Sequence, residues 1–195
     1  MIFQVLSFML ITCFYGSYFL KQLLLRKKGI VTNRLARGKK STKTAKIETA
    51  LLAATYSNGI LQYLSVFHSR YIGAFFLPAT IRYVGLAICA VGVLFFLFAI
   101  IAMRDNWRAG IDKSQVTTIV KSGVYRISRN PAFVGFDLMY IGFMLAMPNI
   151  FICTTALITI LLIHQQILEE EKYLPQVFGA EYTQYKINTP MYLFF

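Results

Sequence analysis

Long uncharged runs alternate with short, mostly basic stretches along this chain. Residues 1–20, 49–67 and 83–103 are such runs. Each approaches or exceeds the roughly 20 apolar residues that a helix needs to cross a bilayer core. Residues 138–168 are uncharged for 31 positions, which is too long for one untilted span. Pro148-Asn149 interrupts this run in the manner of a tight turn. The pattern therefore predicts a helical hairpin of 132–147 and 150–168. The expected fold class is an all-α integral membrane protein with about five transmembrane helices, organised as a single membrane domain over 1–195. The first run has no basic segment before it and no small-residue cleavage pattern, so it reads as a retained anchor rather than a signal peptide.

Composition sharpens this picture. The 195 residues are 57% hydrophobic and 14% charged, which excludes a disordered chain and argues against an ordinary soluble enzyme. Twenty Lys and Arg face eight Asp and Glu, a net charge of +12. The cations cluster: nine fall between Arg26 and Lys46, six between Arg104 and Pro131, and two after Leu168. The outer loop region carries only Arg70 and Arg82, and the Pro148 turn carries none. With five spans, every basic segment falls on one side, so the N-terminus is expected outside and the C-terminus in the cytoplasm. The membrane would be the plasma (inner) membrane in a prokaryote and the endoplasmic reticulum in a eukaryote. The basic loop 26–47 lacks interleaved aromatics and lies between two spans. It reads as facing anionic lipid, and no nucleic-acid partner is expected. Cys13, Cys89 and Cys153 sit in apolar runs and read as small core residues. With His68 and His164 they form no metal-ligand spacing, so no metal is expected. Oligomeric state is not legible in the sequence.

Two cytoplasmic segments are longer than a connector needs: residues 104–131 and the tail from Glu169. They flank the hairpin, so they can meet over it. Val116–Val120 is strand-like, and Lys121–Tyr125 reads as a turn into a new element. Asn130-Pro131 opens the fourth span as a cap followed by a proline at the first helical position. Either that is its whole role, or the helix N-terminus beside Arg129 favours an anion. Glu169, Glu170 and Glu171 point different ways around one helix, so at least one faces the bundle. They are either solvated, with Glu169 paired to Lys172, or they supply a carboxylate for a ribose diol or a cation. Tyr182 and Tyr185 share a face, as an interfacial belt would. Asp137, one to two turns inside span four, is either an interfacial acid or a functional one.

Taken together, Asn106-Trp107, Val120, Gly123, Tyr125, Arg129, Pro131, Gly135, Glu170-Glu171, Phe178-Gly179, Tyr182 and Tyr185 form an ordered set. The set resembles the isoprenylcysteine carboxyl methyltransferase family, which is related to the membrane phospholipid N-methyltransferases. The resemblance covers roughly residues 104–186. It implies an S-adenosylmethionine-dependent methyltransferase with a lipid-like or isoprenoid acceptor and carboxyl O-methylation. The cofactor pocket would form between the segment before span four and the C-terminal tail. In this division residues 1–103 are three N-terminal spans and 104–195 the methyltransferase core with its C-terminal lid. The implied cofactor-binding residues are Val120, Gly123, Tyr125, Arg129, Asn130, Pro131, Gly135, Glu170, Glu171, Tyr182 and Tyr185. The implied catalytic residues are Arg129, Glu170 and Asp137, the last through acceptor selection. Where the family carries His between Arg and Pro, this chain has Asn130. The expected partners are the bilayer and a lipophilic methyl acceptor. Alternatives are a phospholipid N-methyltransferase, an NADPH-dependent membrane reductase of related architecture, and a non-enzymatic membrane scaffold.

Overall fold

The computed structural model describes residues 1–37, 40–68, 75–110 and 118–194. Arg70, Val116 and Thr117 fall outside the described residues. Five long helices appear where the hydropathy pattern places them: α1 (Ile2–Lys27), α2 (Thr42–His68), α3 (Ala79–Met103), α4 (Pro131–Ala146) and α5 (Ile150–Asn188). Three of them, α1, α3 and α5, are long and apolar enough to cross a membrane, and α4 is a shorter apolar helix. α2 has the length, 27 residues, but its inward face is polar. Asn58, Gln62 and Ser65 recur at helical spacing on that face and are all but fully buried. Each is bonded to another helix: Gln62 accepts from the Tyr15 hydroxyl at 2.8 Å, Asn58 donates to Thr159 at 3.4 Å, and Ser65 accepts from Asn149 at 3.0 Å. Such bonds hold helices together where lipid gives no hydrophobic drive between them.

The tightest helix contact joins α3 to α4. Gly85 and Gly92 on α3 meet Gly142 and Gly135 on α4, each pair seven residues apart and so on one face. A Cβ at Gly142 would lie 2.5 Å from the Cys89 amide nitrogen and from the Gly85 carbonyl oxygen. Only glycine lets the two backbones touch. Pro148 ends the hairpin, and Asn149 caps α5 by accepting from the Ile152 amide at 2.9 Å.

The segments that follow α1, α3 and Leu168 fold into one cap at one end of the bundle. Lys28 pairs with Asp105 at 2.9 Å, and a short parallel bridge joins Asn33 to Ala109. Thr44 donates to Glu169 at 2.9 Å, which ties the start of α2 to α5. Of the expected strand, the described residues Thr118–Val120 form no strand, and a single turn of 3₁₀ helix, Gly123–Arg126, follows them. The cysteines also diverge from expectation, since Cys89 is buried but Cys13 is exposed.

Candidate active site

α5 is apolar as far as Leu168. From Glu169 it runs on into the cap, carrying three carboxylates to three destinations. Glu169 binds Thr44 and Lys172, whose hydrogen bonds hold its carboxyl below the usual range. Glu171, two residues on and about 200° around the axis, is buried against Arg129 at 2.7 Å and pairs with Lys186 at 3.0 Å. Burial alone would raise its carboxyl, but these two cations outweigh burial and hold it low. Glu170 faces neither. It lines a cavity of about 600 Å³ and accepts one hydrogen bond, from Gln166 at 2.9 Å. It forms no ion pair among the described residues. Burial raises its carboxyl to about 7.

The cavity has two parts. In the cap it is lined by Asn106–Trp107, Thr118–Val120, Tyr125, Arg129, Asn130, Glu170, Tyr182 and Tyr185. It then continues between α1 and α2 along Tyr15, Gly16, Phe19, Tyr56, Gly59 and Tyr63. Side chains from the cap and from the long apolar helices thus share one space. Two of these lining residues are bonded to each other, Asn106 donating to the Thr118 hydroxyl at 2.9 Å. The Trp107 ring is buried against Phe96 and Tyr18, and its indole N–H has no hydrogen-bond partner among the described residues.

The C-terminal segment seals the cap. α5 breaks at Gly179, whose φ of 56° and ψ of −132° suit glycine alone. The helix then turns so that Tyr182 and Tyr185 become buried. They are therefore cavity walls and not an interfacial belt. The Tyr185 hydroxyl donates to the Tyr125 carbonyl at 2.6 Å. The tail returns over the hairpin, where the Arg129 amide donates to Pro190 O at 2.9 Å and Tyr192 stacks on His164.

Of the expected site residues, Val120, Tyr125, Arg129, Asn130, Glu170, Tyr182 and Tyr185 come together on the cavity wall. The remainder lie elsewhere. Gly135 packs on the backbone of Phe96, where a Cβ would come within 2.8 Å of its nitrogen. Gly123 supplies a positive φ of 62° for the 3₁₀ turn, and Pro131 is buried at the first turn of α4. Glu171 serves the ion pair. Asp137 follows Phe136, which does face the cavity, and one helical step carries its carboxylate away from that face. Arg129 is not free for an anion, because Glu171, Lys186 O and Thr189 O occupy its donors. Asn130 sits at the cap position of α4, but its side chain makes no capping bond and donates instead to Met191 O at 3.2 Å.

Three residues escape sequence reasoning. Gln166 bridges Glu170 to Glu48, and Lys40 pairs with Glu48. A signal for Glu48 does exist: it is the sole acidic residue before Asp105.

A helical membrane bundle with one cavity shared by its cap and its lipid-embedded helices defines a class of enzymes that act on membrane-resident substrates. The phospholipid methyltransferase family model matches residues 80–181, more than half the chain, and the chain belongs to that family. It is a membrane methyltransferase for a lipid-like substrate. No individual curated protein matches it.

Proposed function

We propose that the protein transfers a methyl group from S-adenosylmethionine to the polar end of a lipid-like or isoprenoid acceptor at the cytoplasmic face. The observation that carries this reading is the single cavity running from Glu170 in the cap to Gly16 and Tyr63 between α1 and α2. A soluble methyl donor enters such a cavity from the cap, and an apolar tail enters from the bilayer.

The residues fit the donor. S-adenosylmethionine supplies an electrophilic methyl group on a cationic sulfonium, which becomes a neutral thioether once the methyl has gone to a nucleophile. Glu170 is a cavity carboxylate with no cation of its own among the described residues, and it would hold positive charge. The unpaired Trp107 N–H would meet an acceptor atom of the donor, and Val120, Tyr125, Tyr182 and Tyr185 would enclose it. Arg129 and Glu171 act one step back, clamping the tail that forms the lid. Sealing the cap excludes water, and in a dry site every charge interaction strengthens. The remaining task is alignment of nucleophile and methyl group, which is positioning. Asn130 fits this division of labour, since it binds the tail through its amide and requires no charge.

For the acceptor, carboxyl O-methylation is the first reading, because an anionic oxygen needs no base. N-methylation of an amino-phospholipid is favoured by one observation. An ammonium must first lose a proton, and the Glu170 carboxyl, raised to about 7, is suited to accept it. The basic cap faces the cytoplasm in this reading, which puts the N-terminus outside. Membranes incubated with methyl-labelled donor decide between the two: base-labile label indicates an ester, base-stable label in extracted lipid indicates an amine. Absence of transfer to either lipid or protein would refute the proposal.

A further inference from the structure

Glu48 is fully buried at the cytoplasmic end of α2. Lys40 pairs with it, and the Ala36 amide donates to the same oxygen at 2.8 Å. Ala36 has a φ of 58°, a conformation rare in any residue with a side chain. Ala36 therefore accepts backbone strain where its amide meets this one carboxylate. Its other oxygen lies 3.5 Å from the Gln166 amide nitrogen, which donates at 2.9 Å to Glu170. One amide group thus spans two carboxylates. Its bond fixes one oxygen of Glu170 and leaves the other on the cavity side. Glu48 and Lys40 lie outside the family match, so nothing in that match accounts for them.

We propose that Glu48, Lys40 and Gln166 are positioning residues that set the orientation and charge of the Glu170 carboxylate, which makes the loop before α2 part of the methyl-transfer site. This rests on the reading of Glu170 as the group that meets a cationic donor. The charged or titratable groups facing Glu170 are Glu48 of α2, Lys40 of the loop before it and the Tyr125 hydroxyl of the 3₁₀ turn. Glu48 disfavours a second negative charge nearby, and Lys40 relieves that effect. Removing one or the other must therefore shift the protonation of Glu170 in opposite directions. Gln166 fixes the geometry of the carboxylate and, through its hydrogen bond, also holds its proton affinity down, so its loss weakens binding and shifts the protonation of Glu170 in the same direction as loss of Lys40.

The test is calorimetric titration of the full-length protein in nanodiscs with S-adenosylmethionine and with the uncharged S-adenosylhomocysteine, from acid to alkaline pH. For the parent, affinity for the sulfonium falls toward acid pH more steeply than affinity for the thioether. Glu48→Gln moves that acid limb to lower pH, and Lys40→Met moves it to higher pH. Gln166→Leu lowers sulfonium affinity about tenfold at alkaline pH. Melting curves run in parallel, and if Glu48→Gln does not fold, the other two variants carry the test. Folded variants whose limb stays at the parent pH, or moves the same way in both charge variants, overturn the positioning role. A parent that binds neither compound refutes the methyl-donor reading itself, which is a separate failure.

Discussion

Glu170 and Glu171 are consecutive on α5, yet one faces the cavity with no ion pair among the described residues and the other is clasped by Arg129 and Lys186. A helical step of about 100° separates a cavity-facing carboxylate from an ion-paired one. Their substitutions should accordingly separate binding from folding. Glu171→Ala leaves the buried Arg129 charge without its main partner and should destabilise the protein by about 3–5 kcal/mol. Glu170→Gln should leave the melting temperature unchanged or raise it, because it removes an uncompensated buried ionisable group. Its affinity for S-adenosylmethionine at alkaline pH should fall at least about tenfold, or ~1.4 kcal/mol. Thermal unfolding and calorimetry on both variants check the pair.

The proton affinity of Glu170 sets two pH dependences of opposite sense. Its folded-state carboxyl is raised to about 7, above the ordinary carboxylate value, so the folded protein binds the proton more tightly than the unfolded chain. Its contribution to stability is present below the ordinary range and is lost as pH rises through about 7. Binding of a cationic donor runs the other way, strengthening as pH rises through the same interval and releasing a proton. Stability curves of parent and Glu170→Gln should differ by that slope. Binding heats in buffers of different ionisation enthalpy should show proton release near pH 7 in the parent and none in the variant.

Gly16 lies on the cavity wall, and a Cβ built there meets nothing within 4 Å. Gly16→Leu should therefore fold well, with a gain of up to about 1 kcal/mol from helix propensity, while its side chain occupies the space between α1 and α2. The expected result is a raised KM for the lipid acceptor at unchanged affinity for the methyl donor. Weakened donor binding with normal acceptor kinetics would show that this part of the cavity does not hold the tail.

Gly142→Ala is the opposite case. The added methyl meets the backbone of Gly85 and Cys89, neither of which can swing aside. The hairpin should be destabilised by about 1–3 kcal/mol, read as a lower melting temperature. Gly29→Ala, where a Cβ also meets nothing but φ is 75°, is a useful contrast: its cost comes from backbone conformation and not from crowding.

Much of the architecture is legible in the hydropathy pattern because uncharged runs of span length have few alternatives. The α4–α5 boundary falls at Pro148-Asn149 as read, since proline and an asparagine cap are local signals. The length of α5 is not legible. Nothing in Glu169–Phe178 stops a helix, and Pro175 is accommodated within it, so the helix runs on to the break at Gly179. The polar face of α2 shows why its hydropathy falls below that of α1, α3 and α5: Asn58 and Gln62 lower it, and their partners lie on other helices. In the site, the divergence of the three glutamates follows from helical geometry, whereas which one meets the cavity depends on tertiary packing. The roles of Gly135 and Glu48 also depend on what lies across from them, which no single segment encodes.

The backbone contact between α3 and α4 has a consequence for traffic. Two helices whose backbones touch at glycines have no rotamers to exchange at those points and cannot part there by small adjustments. That wall is a fixed jamb. Under the proposed function a long hydrocarbon tail would enter at the other seam, where α1 and α2 are linked by hydrogen bonds such as Tyr15 to Gln62 and Thr12 to Tyr63. In that reading the door hangs on two helices that lie outside the family's shared segment.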